Sequence, residues 1–222
     1  MYHPQKIKAV IFDLDGTLLD SLPDLTTGIN LSLADLQLPQ LTAQQVQSFI
    51  GNGVASLIEQ SLPQDRKDEY FPRCYELFQN HYRQHLWEQT RPYPGITACI
   101  ANLAQAGYRL GVMSNKRDPL VKELVRHFFG DRIPAAIGEC DEVPRKPSPI
   151  GIRMAMEQLA VQMEETVYVG DSPGDIITGH NAGLPVIAVA WGYRQKELLQ
   201  DADALAETPE HLARLLGWTP SA

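Results

Sequence analysis

Four short apolar runs, each ending at a polar or glycine-rich loop, set the tightest limit on how this chain can fold. Ile7 to Phe12, Tyr108 to Met113, Thr166 to Val169 and Pro185 to Ala190 carry almost no polar side chains, and Ile133 to Ile137 is a weaker fifth. Such runs are too short for helices and lack the alternation of a half-exposed strand, so they read as strands buried on both faces, as in a parallel sheet. Helical periodicity fills the gaps between them, at Ile96–Gln105, at Pro119–Phe129 with Leu120, Leu124 and Phe128 four apart, and at Ser148–Leu159, where Ser148 is placed as N-cap and Pro149 as the first helical residue. Strands alternating with helices predict an α/β fold, a doubly wound parallel sheet with a Rossmann-like core.

Between the first strand and Pro92 the pattern changes, and no strand candidate appears. Ser21-Leu22-Pro23-Asp24 has capping-box form and opens a helix to about Leu36; Thr42-Ala43-Gln44-Gln45 opens a second. Gly51-Asn52-Gly53 breaks the pattern before a third helix, Val54–Leu62. A fourth, from about Asp65 to Leu86, carries Phe71, Tyr75, Phe78, Tyr82 and Leu86 as one stripe. The chain therefore divides into an α/β core, residues 1–18 and 91–222, and an inserted all-helical cap, residues 19–90.

Composition narrows the function classes. Nineteen Lys plus Arg against 27 Asp plus Glu leave a net charge of −8, which gives no electrostatic footprint for a nucleic-acid backbone. No apolar stretch approaches the ~20 residues of a membrane span, and the run after Lys6 and Lys8 is cut short at Asp13, unlike a signal peptide. Cys74, Cys99 and Cys140 form no metal-ligand spacing and read as reduced thiols. The expectation is a cytoplasmic protein, monomer or homodimer, with no nucleic-acid or membrane partner.

Ligands of an open parallel sheet bind beyond the carboxyl ends of its strands. The first strand ends in Asp13-Leu14-Asp15-Gly16-Thr17. Two carboxylates two residues apart can share one site, one attacking while the other moves a proton, and both suit a hard cation; an acidic turn is the plainer reading. The second strand ends in Ser114-Asn115, phosphate donors or simple turn formers. Lys146, followed by the stiff Pro147, is either a phosphate clamp or a surface lysine. Thr166–Val169 leads into Gly170-Asp171-Ser172-Pro173-Gly174-Asp175, where Asp171 can complete a metal site and Asp175 is either a second acid or a helix cap. His81 and His85, one turn apart without a third ligand, read as solvated surface.

The order D-x-D-G-T, then Ser, then Lys, then G-D-x-x-x-D resembles the haloacid dehalogenase superfamily of Mg²⁺-dependent phosphatases over essentially the whole chain. Asp13 to Ser21, Phe49 to Gly53, Gly170-Asp171-Ser172 with Asp175, and Trp191-Gly192-Tyr193 resemble its bacterial phosphoglycolate phosphatase branch. Ser114 stands where relatives often carry Thr, and Glu139 to Glu142 where glycine and paired aspartates are common. The resemblance implies hydrolysis of a small phosphorylated organic acid through an aspartyl-phosphate. Asp13 is the implied nucleophile and Asp15 the proton donor and acceptor. Mg²⁺ is implied on Asp13, Asp171 and the main-chain carbonyl of Asp15, and the phosphoryl group on Ser114, Asn115 and Lys146. The cap implies a lid. Residues 21–88 hold eight acids and four bases, so backbone N–H groups at Gly51, Asn52 and Gly53, rather than a basic patch, are expected to receive the substrate carboxylate. The alternatives are a phosphatase of the same fold for N-acetylmuramate 6-phosphate or pyrophosphate, a sugar-phosphate mutase, and a non-catalytic phosphoryl-binding module.

Overall fold

The structure, a computed structural model, describes residues 6–218. In chain order its strands are β1 (Ala9–Phe12), β2 (Leu19–Asp20), β3 (Arg91–Pro92), β4 (Arg109–Arg117), β5 (Ala135–Glu139), β6 (Thr166–Gly170), β7 (Val186–Val189) and β8 (Ala204–Ala206). Its helices are α1 (Leu22–Asp35), α2 (Ala43–Phe49), α3 (Gly53–Ser61), α4 (Lys67–Gln84), α5 (Ile96–Gln105), α6 (Asp118–Phe129), α7 (Ile150–Leu159), α8 (Pro173–Asn181) and α9 (Pro209–Leu215). Contacts divide the chain into two units, Met1–Leu19 with Pro92–Ala222, and Asp20–Arg91. Among the described residues no helix is long and apolar enough to cross a membrane.

The first unit is a six-stranded sheet in the order β5-β4-β1-β6-β7-β8, parallel at every pairing. From β1 the chain builds one half outward through β4 and β5, then returns to build the other through β6, β7 and β8. That is the doubly wound arrangement, with the reversal beside β1. Every residue of β1, β6 and β7 is buried, which is why these runs are apolar without alternation. Register places the critical termini side by side: Phe12 is level with Val112 on one flank and Val169 on the other, and Asp13 N–H donates to Val169 O at 2.8 Å. Met113, Ala135, Ile152, Ala155, Tyr168 and Val186 belong to the apolar core.

The second unit is helical. α4 stacks Phe78 on Tyr82 with ring centroids 5.3 Å apart, and buries Cys74 and Leu77 beside them. Burial pushes the Cys74 thiol up to about 11 and, in the first unit, the Cys99 thiol up to about 12. His81 pairs with Asp35 at 2.8 Å and His85 with Glu88 at 2.9 Å, so each imidazole serves one carboxylate.

Local expectations are corrected at several points. Ser21 makes no side-chain cap; the buried Asp24 instead accepts from Gln89 N, Thr90 N and Thr90 Oγ1 at 2.7–3.1 Å, a partnership across some 65 residues that displaces the capping box. The capping box at Thr42–Gln45 forms in both directions. α7 starts one residue late, with Pro149 at the cap position and Ser148 Oγ accepting from Ile150 N at 3.4 Å. α3 begins at Gly53 rather than Val54, and on α4 Phe71 and Tyr75 are only half-buried, so the buried stripe lies nearer its C-terminal half. β4 continues past Met113 to Arg117, and β8 is an additional edge strand too short and polar-flanked to register as an apolar run.

Candidate active site

The carboxyl ends of β1 and β6 and the loop after β5 bring four ionic side chains together. Asp13 follows β1 directly and is 6% exposed; Asp171 follows β6 and is 3% exposed. Asp175, fully buried, stands one turn into α8. One oxygen from each of these three carboxylates lies within 4.8 Å of the other two. Lys146 enters the cluster from the loop after β5, its Nζ 2.8 Å from Asp13 Oδ1 and 2.7 Å from Asp175 Oδ1. The Lys146–Pro147 peptide is cis.

Burial dominates the electrostatics. It opposes the Lys146 charge, but Asp13 and Asp175 outweigh it and hold the ammonium above the usual lysine range. Burial also pushes the Asp13 carboxyl well above the usual carboxylate range; Lys146 counters this, while Asp175 and Asp171 add to it. Asp171 is pushed up to about 7, first by burial and then by Asp175, against the pull of the Tyr193 N–H, Lys146 and Arg194. One lysine among three buried carboxylates leaves negative charge unmatched, which is the demand a divalent cation meets with oxygen ligands. Asp13 and Asp171 therefore fit a metal. The side chain of Asp15, whose main-chain carbonyl is the expected contributor, stands outside this group: its Oδ2 pairs with Lys116 Nζ at 2.9 Å, and Asp175 is the third clustered carboxylate.

Asp175 forms the helix cap and also reaches into the cluster. Its Oδ2 accepts from Ser172 N at 3.1 Å and Ser172 Oγ at 2.6 Å, closing a reciprocal capping box, while Oδ1 accepts from Lys146 and from the Tyr168 hydroxyl at 3.1 Å. Ser114, 2% exposed on β4, accepts the Lys116 N–H on its Oγ at 3.3 Å. Asn115 Oδ1 accepts the Lys146 N–H at 2.7 Å, so this amide ties the lysine loop to β4.

Further side chains support the arrangement that sequence reasoning left aside. Tyr193 N–H donates to Asp171 Oδ2 at 2.7 Å, and Thr17 Oγ1 lies 3.5 Å from Asp171 Oδ1. Trp191 Nε1 donates to Thr17 O at 3.0 Å. Gly16, at φ +90°, and Gly192 admit this packing: a Cβ on Gly16 would lie 2.5 Å from Asp171 Oδ2, and one on Gly192 2.2 Å from Asp171 Cβ. Trp191-Gly192-Tyr193 was visible as a motif, but nothing in the sequence shows that it grips Asp171. Gly51, Asn52 and Gly53 belong to the helical unit, where Gly51 (φ +119°) and Gly53 (φ +80°) turn the chain into α3 and Asn52 makes no side-chain cap.

Residues 10–189 match the family model for haloacid dehalogenase-like hydrolases. Among curated relatives, the phosphoglycolate phosphatase of Neisseria meningitidis serogroup A is 36% identical over 205 residues, covering 90% of this chain and 87% of that protein. That of Nitrosospira multiformis is 34% identical over 223 residues, covering 94% of each. A crystal structure from Lactobacillus delbrueckii subsp. bulgaricus, of a candidate phosphoglycolate phosphatase, superposes with a TM-score of 0.90 at 32% identity, covering 96% of this chain and all of that one.

Proposed function

The chain belongs to the haloacid dehalogenase-like hydrolases, and from that premise we propose that it hydrolyses 2-phosphoglycolate to glycolate and phosphate. The observation that carries the reading is the buried Asp13–Asp171–Asp175 cluster crossed by Lys146, with Asp15 set apart from it two residues after Asp13. A non-catalytic phosphoryl-binding module has no need of a second carboxylate held outside the cluster.

In this proposal Asp13 attacks phosphorus. A carboxylate Oδ–P bond forms as the P–O bond to the substrate breaks, and Asp15 gives its proton to the departing alkoxide. Asp15 then takes a proton from the water that attacks the acyl phosphate, which restores Asp13 and releases phosphate. Lys146 and Ser114 hold phosphoryl oxygens, and Asn115 keeps the Lys146 loop in place. Asp13 and Asp171, with the carbonyl of Asp15, would hold Mg²⁺, whose charge offsets the repulsion between the Asp13 carboxylate and the phosphoryl group. The Asp20–Arg91 unit acts as the cap, with Gly51, Asn52 and Gly53 reading the carboxylate of the leaving acid, and the protein works in the cytoplasm as a monomer or homodimer.

A panel of phosphomonoesters with Mg²⁺, ranked by kcat/KM, tests this. The expected result is a preference for 2-phosphoglycolate over ethyl phosphate, loss of turnover in EDTA with recovery on adding Mg²⁺, and no turnover by Asp13→Asn. Equal rates on the two esters would remove the substrate assignment while leaving the phosphatase chemistry. Metal-independent hydrolysis, or a tenth or more of the rate in Asp13→Asn, would remove the chemistry itself.

A further inference from the structure

Two buried lysines divide the strand-end carboxylates between them. Lys146 takes Asp13 and Asp175, whereas Lys116 takes Asp15, with Nζ 2.9 Å from Oδ2 and side chains only 6% and 13% exposed. The second pair has a definite structural origin. Lys116 follows Ser114 by two residues on β4. The pairing of β4 with β5 shifts register between Met113 and Arg117, an irregularity of the kind that re-aims side chains at sheet ends. Lys116 N–H is anchored on Ser114 Oγ. Asp15, for its part, begins a tight turn in which Gly16 N–H bonds to Leu19 O and Leu18 and Leu19 N–H bond to Leu14 O.

We propose that Lys116 is a positioning residue for proton transfer in this reaction: it holds the Asp15 carboxyl out of the Asp13–Asp171–Asp175 cluster and fixes its direction toward the departing oxygen. The inference rests on the phosphatase reading above. Its physical basis is competition. Asp15 is two residues from Asp13 on a turn, and a fourth carboxylate is attracted to the same Lys146 ammonium and the same cation as the other three. A dedicated cation outside the cluster removes that choice. Because the pair is largely desolvated, Lys116 holds its place against Asp15, and the side chain keeps one direction both as the carboxylate that takes the water's proton and as the acid that gives it up.

The test is a double-mutant cycle of Lys116→Met and Asp15→Asn, run with an alkyl phosphate and an aryl phosphate at saturating Mg²⁺. An alkoxide needs a proton to leave and a phenolate scarcely does. If Lys116 acts through Asp15, Lys116→Met lowers kcat on the alkyl ester by about 10²-fold, within the range of general-acid contributions, and on the aryl ester by much less. In the Asp15→Asn background the same substitution has almost no further effect on kcat, the non-additivity expected of a coupled pair. Lys116→Arg recovers part of the alkyl activity. Should Lys116→Met melt too early to assay, the comparison of Asp15→Asn with the double variant still decides, since the double variant leaves no unpaired buried charge. Equal losses on both esters, or losses that multiply in the double variant, would overturn the inference and mark Lys116 as a phosphoryl ligand or a structural residue. Absence of phosphomonoester hydrolysis by the wild type would overturn the phosphatase reading and this inference together.

Discussion

Lys146 Nζ donates to Asp175 Oδ1 at 2.7 Å, while the other oxygen of the same carboxylate closes the capping box of α8. One residue thus fixes the entry of a helix and half-neutralises the lysine that faces Asp13. The two tasks can be separated. Ser172→Ala removes the cap hydroxyl and should cost about 1 kcal/mol of stability, with the Mg²⁺ requirement unchanged. Asp175→Asn keeps the shape but removes the charge, and should weaken apparent Mg²⁺ affinity by roughly 10–100-fold, as losses beside a metal site do. Metal titrations of kcat/KM with both variants check this; equal shifts would reduce Asp175 to a helix cap.

Gly192 is held against Asp171 more tightly than any side chain allows. An added Cβ would lie 2.2 Å from Asp171 Cβ and 2.5 Å from Gly16 O. Gly192→Ala must displace either the carboxylate or the Gly16 turn, and overpacking of this kind costs about 1–3 kcal/mol. The expected outcome is a lower Tm together with a raised Mg²⁺ requirement. Gly174→Ala is the matched control, because its Cβ would meet only Ser172 Oγ at 3.5 Å and alanine favours a helix. A Gly192→Ala protein with wild-type metal dependence would show that Asp171 tolerates movement.

The strand-end cluster was legible because it rests on local signals: apolar runs that stop at Asp13 and Asp171, and a lysine followed by the stiff Pro147. Most of what supports it was not legible. Lys116 lies past an irregularity of β4, where alternation no longer tells which way a side chain points. Tyr168 reads as one more core residue of β6, although its hydroxyl reaches Asp175 and Met113 O. Asp24 matched a capping box perfectly well, yet long-range partners at Gln89 and Thr90 offered three donors where the cap offered one. Local patterns give the candidates for a bond, and tertiary competition decides which of them forms.

The positive φ of Gly53 decides which substitution can probe the carboxylate-reading role proposed for its loop. Proline, with φ near −65°, cannot adopt +80° and would break the start of α3 outright. Alanine can adopt it at a cost of about 1–2 kcal/mol, enough to tilt the loop without removing the helix. If backbone N–H groups there read the leaving acid, Gly53→Ala should lower kcat/KM for 2-phosphoglycolate about tenfold and for ethyl phosphate by less. Asn52→Ala, which changes only a side chain that caps nothing, should keep the wild-type preference. A preference lost in Asn52→Ala and kept in Gly53→Ala would assign recognition to the amide side chain.

The raised Asp171 carboxyl makes stability depend on both pH and metal, with a definite sign. A carboxyl held at about 7 in the folded chain and near 4 when unfolded keeps its proton longer in the folded state. Folding is therefore favoured while the group is protonated in both states, and that stability is lost as pH rises through the window from about 4 to about 7. Asp13, displaced in the same direction, adds to the slope. Carboxylates with lowered values, such as Glu69, Glu165 and Glu207, act oppositely but complete their change below about pH 5. In EDTA, Tm should accordingly fall between about pH 5.5 and pH 8. Mg²⁺ binds the ionised carboxylates and stabilises in proportion to the logarithm of its excess over Kd, so the Tm gained on adding it should be larger at pH 8 than at pH 5.5. Asp171→Asn removes one of the two titrating groups and should make the EDTA profile shallower while abolishing most of the gain. A metal-free Tm that rises over this window, or a gain from Mg²⁺ that is larger in acid, would show that Asp171 already carries its charge comfortably without the ion.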